Sequence, residues 1–514
     1  MDARAATAKT AKKRTPSFVC EIPLRVTPAQ QRTLLVRFEA ARQVYNACLG
    51  EARRRVRLIQ QAKVYQRARK LPQDDPQRTA LFSQARTQHH FHEYALHAYA
   101  TTLRQSWLQE HLDANTVQKL ATRAYHTANR LLLGEAKRVR FKGPSQMDSV
   151  EGKKATVGIR WEKDRVQWGG LVLPAIIDPT DRVQAHGLAS RVKYVRLVRR
   201  KLGDKQRFSA QLVCEGLPYR KERHRLGEGV VGLDLGPQTI AIVCEQGASL
   251  QMFCPEVFPD AQALRRLDRK LERQRRANNP NNYDEKGRVT PGKKHWRSSK
   301  RQRQTQRLRR EYYRKLAATR KRCHGQLAHQ VLAMGNVFHV EHLSYRAWQR
   351  RYGKSVGLCA PSMFMSRLSH LAESAGGRIV DVNARLAKLS RTCHCGAITP
   401  KRLSQRWHRC ACGVSAQRDL YAAFLACFVD PDTSLLDAGR AQGAWPGREP
   451  VLQAAFEQAT SNQPASRRTL PSSFGVPPHR SQSRSPAPGS PAKAQSQDAV
   501  PVRKRTGRAW KRRR

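Results

Sequence analysis

Three carboxylates in this chain sit where a carboxylate is costly. Asp234 lies within the run Val230, Val231, Leu233 and Leu235, so apolar that an ionised side chain there needs a compensating partner. Gly236 follows, and Thr239–Val243 then reads as a second strand, so VVGLDLGPQTIAIV (230–243) reads as a hairpin opening a sheet. Glu341 comes directly after another apolar strand, VFHV (337–340), and Asp419 stands at the start of an apolar helix in QRDLYAAF (417–424). Any one of them alone would pass for an ordinary turn or cap residue. Brought within a few ångströms of one another, the three would repel strongly unless divalent cations sat between them. Two Mg²⁺ ions about 4 Å apart in such a set would activate an attacking water and stabilise a leaving oxygen.

A second constellation is the pair Cys393-His394-Cys395-Gly396 and Cys410-Ala411-Cys412-Gly413. Two cysteine pairs, each followed by glycine, predict the knuckles of a tetrahedral Zn²⁺ site, the glycine permitting the turn that aims amide N–H groups at the thiolates. Spacing within each pair is Cys-x-Cys, one residue shorter than the common Cys-x-x-Cys, and His394 and His408 stand close enough in sequence to replace a cysteine. The surrounding Arg, Gln, Ser and His are too polar for four core thiols. The other eight cysteines (20, 48, 214, 244, 254, 323, 359 and 427) are scattered through mostly apolar segments, as reduced core thiols are.

The elements that must position these residues follow from periodicity. FVCEIPLRV (18–26) reads as a strand, after which Thr27 caps a helix with Pro28 at its first position and Gln30 completing a capping box. Helical patterning runs to about residue 138, with breaks near Leu71-Pro72 and Asp75-Pro76. From 141 to 220 the period is two, giving strands at 157–161, 166–174, 194–201 and 208–215, the last two flanking a hairpin turn at 202–205. This pattern predicts one β-domain interrupted by a helical lobe, with its sheet closed into a barrel. From 227 onward come the strand hairpin with Asp234, a long charged helical stretch broken by a loop at 278–292, the Glu341 strand, a helix near 363–376 and a strand at 378–382. The cysteine cluster and the Asp419 helix end the patterned region. A strand-borne Asp with a following hairpin, a strand-end Glu and a helix-borne Asp, in that order, is the carboxylate order of an RNase H-like nuclease.

Charge points to the partner. The 514 residues carry 97 Lys and Arg against 39 Asp and Glu, a net +58 that only a polyanion would screen. Between 261 and 325 there are 23 basic and 5 acidic residues, too few acids to pair the bases. Arg265, Arg266, Arg269, Arg273 and Arg276 recur there at helical spacing and make one face cationic, suited to the phosphates of an RNA–DNA duplex. No run of 18 apolar residues exists to span a membrane, and the basic amino terminus lacks the apolar segment of a secretory signal. The expected location is a bacterial or archaeal cytoplasm, associated with the nucleoid, or a nucleus in a eukaryotic host.

GLDLG (232–236), VEHLSY (340–345), the CHCG and CACG pair, QRDLYAAF and the opening strand and helix through VYNACL (44–49) together resemble the TnpB family. These are transposon-encoded RNA-guided endonucleases related to the type V CRISPR effectors. The resemblance covers roughly residues 18–430. It implies an α/β RNase H-like (RuvC) nuclease at 227–390 and 414–430 with a zinc ribbon inserted at 391–413. It also implies a β-barrel-like wedge domain at 18–27 and 139–226, interrupted by a helical recognition lobe at 28–138. A basic disordered amino terminus (1–17) and a weakly structured to disordered tail (431–514) complete the expected order. By the same resemblance Asp234, Glu341 and Asp419 hold two catalytic Mg²⁺ ions, and Cys393, Cys395, Cys410 and Cys412 hold one structural Zn²⁺. The implied activity is guide-RNA-directed hydrolysis of target DNA, leaving 5′-phosphate ends. Two rivals stand beside it: a guided DNA-binding repressor with a dormant nuclease, and an unguided transposase or resolvase on the same fold. One departure is Gln417, where the family's third motif commonly has Asp.

Overall fold

The computed structural model describes residues 15–203, 205–461, 474 and 475. Most of the expected disordered amino terminus, and all of the expected tail beyond 461 except 474 and 475, lie outside the described residues.

The capping box forms as its sequence predicts: the Thr27 side chain accepts from the Gln30 amide, Gln30 reaches back to the Thr27 amide, and Pro28 fills the first turn of the helix Pro28–Gln61. Helices Lys63–Lys70, Pro76–Gln88, Glu93–Arg104 and Ala114–Leu132 complete the lobe, with Asp75 and Asp113 capping the third and last of these five helices. The lobe shares one apolar core with the strands that flank it in sequence, through residues such as Phe38, Leu49, Val117, Leu197 and Phe208.

Those strands, expected to make a barrel-like domain, fall into two hydrogen-bonded sheets. Ser17–Pro23, Lys205–Glu215, Val192–Leu202 and Ser149–Glu151 form an open four-stranded antiparallel sheet in that order. Arg160–Glu162, Arg165–Trp168 and Leu171–Pro174 form a meander, joined to the first sheet by the Leu24–Ala175 bridge and by hydrogen bonds from Arg25 to the Pro174 carbonyl and from Ile176 to the Pro23 carbonyl, both 2.8 Å. The turn at Gly169-Gly170 (φ 48° and 79°) splits the strand expected over 166–174 in two.

The carboxy-terminal half is built on a mixed five-stranded sheet. Its order is Ala248–Met252, Thr239–Val243, Val230–Leu235, Val337–Glu341, Arg378–Val382, with the first three antiparallel and the last two joined in parallel to the Asp234 strand. The helices Lys300–Ala333 and Pro361–Ala375 cover one face through Leu327, Val331, Phe364 and Leu368. The helix Arg418–Ala426 covers the other, buried along nearly its whole length. Two glycines set this crossing. A Cβ on Gly232 would meet the Ala423 carbonyl oxygen at 1.9 Å, so the Asp234 strand and the Asp419 helix touch backbone to backbone only because that side chain is absent. Gly236 turns the chain, donating to the Thr239 carbonyl at 2.7 Å.

Residues 431–461, expected to be weakly ordered, instead contain the helix Ala438–Ser461, which buries Ala441, Trp445, Leu452 and Ala455 against the sheet and the cysteine region. Its apolar residues are sparse and interleaved with Pro446, Pro450 and three glycines, which hides the helical period from a sequence reading. Among the described residues no helix is long and apolar enough to cross a membrane.

Candidate active site and cysteine ribbon

Asp234 is the fifth residue of its strand, Glu341 the last of the neighbouring parallel strand, and Asp419 lies in the first turn of the helix crossing them. The three, drawn from segments up to 185 positions apart, line one cavity of about 420 Å³. Burial, then the charges of Asp419 and Glu341, pushes the Asp234 carboxyl well above its ordinary range, against the opposing pull of Arg418 and Arg406. Burial also raises Glu341, which an amide hydrogen bond from Leu389 partly offsets. This is the uncompensated repulsion that hard divalent cations relieve, and carboxylate oxygens are the donors such cations take. Asp234, Glu341 and Asp419 are thus donors of the chemistry that Mg²⁺ takes.

Sequence reasoning missed the cations that share this cavity. Arg418 donates through Nε and Nη2 to Asp419 Oδ1 at 3.2 and 3.1 Å, and through Nη1 to the Gln405 carbonyl at 2.8 Å. One guanidinium thus ties the carboxylate to the loop between the cysteine knuckles. That loop adds Lys401 and Arg406 to the lining, and the helix Tyr345–Cys359 adds Trp348 and Tyr352. Arg418 was legible as part of QRD. Lys401 and Arg406 belong to an irregular loop, where no periodicity marks them.

Gln417, the departure from the family's third motif, is buried and caps the Asp419 helix: its Oε1 accepts from the Leu420 amide at 2.7 Å. The position serves helix initiation, a task a neutral amide oxygen performs without adding a charge beside Asp419.

The four cysteine sulfurs converge within 4.8 Å of one another, the one such group of three or more metal-type ligands found among the described residues. Cys393–Cys412 and Cys395–Cys410 Sγ separations are 3.5 and 3.6 Å. A tetrahedral site with Zn–S of about 2.3 Å has sulfur edges of about 3.8 Å, so the set can hold Zn²⁺. The shortened knuckles are two copies of one turn. Cys393 donates to the Ala397 carbonyl and Gly396 to that of Cys393, while Cys410 donates to Val414 and Gly413 to Cys410. Gly396 and Gly413 take φ of 86° and 97°, which other residues adopt only with strain. The strands Trp407–Arg409 and Ser415–Gln417 complete the ribbon and run straight into the Asp419 helix.

Neither histidine joins the sulfur set. His394 Nδ1 lies 3.0 Å from the Tyr421 hydroxyl, and His408 Nδ1 meets Lys401 Nζ. Tyr421, two residues beyond Asp419, also accepts from the His394 amide at 3.0 Å and contacts Cys393 Sγ at 3.3 Å. Ribbon and Asp419 helix are thereby latched by a single phenol.

Arg265, Arg266, Arg269, Arg273 and Arg276 all lie exposed on the helix Ala261–Asn278, away from the cavity lining; Arg276 pairs with Glu272 at 3.1 Å. The nearby aromatics are engaged with their own chain. Arg275 stacks on Trp296 at 3.8 Å, Arg276 lies over Tyr283, and Tyr312 packs edge-on against Tyr313.

The site thus combines a carboxylate-lined cavity on a mixed α/β sheet with a four-cysteine ribbon. Residues 362–425 match the family described as Cas12f1-like, TNB domain, a segment running from the helix Pro361–Ala375 through the ribbon to the Asp419 helix. Over this segment the chain is similar to that family, which supports the resemblance to the TnpB and type V effector proteins drawn from its motifs. Among solved structures, the Cas12f1–sgRNA–target DNA complex is similar at 13% identity, over 77% of this chain and 82% of that one, with a TM-score of 0.41. A CRISPR-Cas12f ternary complex is similar at 11% identity, over 79% and 82%, with a TM-score of 0.25. No curated protein matches the chain.

Proposed function

We propose that the protein is an RNA-guided DNA endonuclease of the TnpB type. The observation that carries this reading is the gathering of Asp234, Glu341 and Asp419 in one cavity, with Arg391, Lys401, Arg406 and Arg418 lining the same space. Acids that repel one another and cations that suit phosphate are what phosphodiester hydrolysis asks of a site. The three carboxylates would hold two Mg²⁺ ions, which when bound supply the Lewis acidity for hydrolysis to 5′-phosphate and 3′-hydroxyl ends. Arg418 fixes the rotamer of Asp419 through two hydrogen bonds to one oxygen. Lys401 and Arg406, brought in by the ribbon loop, would orient the scissile phosphate. The four cysteines would hold Zn²⁺ as a structural ion that keeps this loop over the cavity.

Guide RNA and target DNA are the proposed partners, in keeping with the net +58 and the exposed arginine face of Ala261–Asn278. The test is to co-express the gene with its flanking DNA, sequence the RNA that co-purifies, and assay Mg²⁺-dependent cleavage of a matched duplex. A discrete guide and cleavage abolished by Asp234→Asn, with RNA retained, are expected. A discrete guide without cleavage by the wild type would instead identify a guided repressor; cleavage independent of RNA would identify an unguided transposase or resolvase.

A further inference from the structure

A second polar cleft lies where the β-domain hands over to the nuclease sheet, and it shares no lining residue with the carboxylate cavity. The connecting chain is fastened there: Gly227 donates to the Leu332 carbonyl at 2.8 Å, and Arg220 reaches the Ser374 carbonyl at 3.1 Å. The short turn Glu222–His224 then leans on the helix Lys300–Ala333. His224 and His329 stack almost parallel, their ring centroids 3.6 Å apart and planes 12° apart. Arg367, from the helix Pro361–Ala375, lays its guanidinium on the long helix at Gly325, where a Cβ would come within 3.0 Å of Nη2. Arg223, Lys321 and Arg322 complete the charged lining of a cleft of about 780 Å³.

Two features set this cleft apart from a merely solvated basic face. No carboxylate is among its lining residues, and Glu256 is already paired with Arg322. Moreover, His329 Nδ1 and Arg367 Nε are buried with no hydrogen-bond partner. Buried polar atoms are almost always satisfied, so two orphans in one basic cleft point to a missing acceptor. Imidazole and guanidinium N–H groups suit a tetrahedral oxyanion, and the open shape suits one carried on a larger molecule.

We propose that this cleft binds a phosphate group, held by His329, His224 and Arg367 with Arg223 and Lys321 at the rim. For a nucleic-acid phosphate the inference rests on the function proposed above; a small phosphate compound would use the same donors. Both imidazoles are held below their ordinary pKa, by burial first; then by Arg223 and Lys221 for His224, and by His224, Arg367 and Arg223 for His329. The charged groups facing the pair are Lys221, Glu222 and Arg223 from the turn, Lys321 and Arg322 from the long helix, and Arg367 from its neighbour. An arriving phosphate offsets the surplus cations and lets an imidazole take up a proton, so binding of a phosphodiester, whose own charge is constant there, tightens as pH falls below neutrality.

The experiment uses the full chain and two probes. One is inorganic phosphate, read as a thermal shift against chloride at matched ionic strength. The other is a fluorescent RNA, read by anisotropy across a salt series. The variants are His329→Phe with Arg367→Met, which keeps a stacking ring and an apolar stem, and Lys321→Gln on the exposed helix face. For an RNA phosphate, the double variant loses about tenfold in RNA affinity and its log–log salt slope falls by about one. Lys321→Gln likewise lowers the slope, without a change in thermal midpoint in chloride. Loss of phosphate protection with RNA affinity intact would assign the same site to a small phosphate compound. Wild-type responses to both probes in all variants would overturn the proposal. Failure of the wild type to bind RNA at all would count against the proposed function, while the inorganic-phosphate arm would still decide the cleft.

Discussion

Burial, then the charges of Asp419 and Glu341, disfavour the ionised form of Asp234. The folded, metal-free protein therefore holds this carboxyl protonated to a higher pH than the unfolded chain does. A raised carboxyl pKa costs stability above the unfolded value, so the metal-free protein weakens as pH rises through the acid range towards neutrality. Asp234→Asn is expected to abolish cleavage and yet raise the thermal midpoint of the metal-free protein at pH 7; a lowered midpoint would contradict the assignment. Divalent cations take the deprotonated carboxylates, so Mg²⁺ or Mn²⁺ affinity should rise between pH 6 and 8 with release of protons. Calorimetry in buffers of different ionisation heat reads this directly, and pH-independent binding would count against Asp234 and Glu341 as ligands. Tyr421 acts at the same scale on the ribbon. Tyr421→Phe strips the hydroxyl from Cys393 Sγ and leaves the His394 amide unpaired in a buried place, a cost of about 1–3 kcal/mol. Zinc should then be lost to a chelator at roughly tenfold lower concentration, as for other outer-shell partners of metal ligands.

The Asp419 helix and the Asp234 strand form the element pair on which the cavity depends. Their contact at Gly232 leaves no room for a methyl group against the Ala423 carbonyl. Gly232→Ala must push helix from strand, and is expected to cost about 1–3 kcal/mol in denaturant titration while removing cleavage, although no carboxylate is touched. His339 braces the same helix from the sheet, its Nδ1 2.8 Å from the Ala426 carbonyl. On the other face, the helix Ala261–Asn278 buries none of its residues and presents its arginines to solvent. Replacing Arg265, Arg266, Arg269, Arg273 and Arg276 together with Gln should lower the salt slope of nucleic-acid binding by up to about four, with little change in thermal midpoint. An unchanged slope would move the nucleic-acid path elsewhere on the surface.

For the whole molecule, a net +58 on 514 residues goes with a core that, among the described residues, is divided among three apolar clusters. One cluster joins the helical lobe to the β-domain; the other two lie on opposite faces of the five-stranded sheet. The carboxylate cavity sits where that sheet, the Asp419 helix and the ribbon loop meet. Loosening any of these three elements acts on the site at a distance.

Local chemistry made much of this legible before folding. A charged residue inside an apolar strand, glycine-flanked cysteine pairs and a Thr-Pro-x-Gln capping box (27–30) each state their requirement within a few residues, because desolvation, thiolate ligation and amide satisfaction are short-range demands. Asp234, Glu341, Asp419 and the four cysteines could be named on those grounds, and the structure gathers each set in space. Tertiary packing decided the rest. The strand expected over 166–174 split at a two-glycine turn, and Ala438–Ser461 became a helix because Trp445 and Leu452 found a surface to cover. Lys401 and Arg406 reached the cavity on an irregular loop, and His224 met His329 across 105 positions of chain. Convergence of that kind depends on how distant faces pack, and no local spacing encodes it.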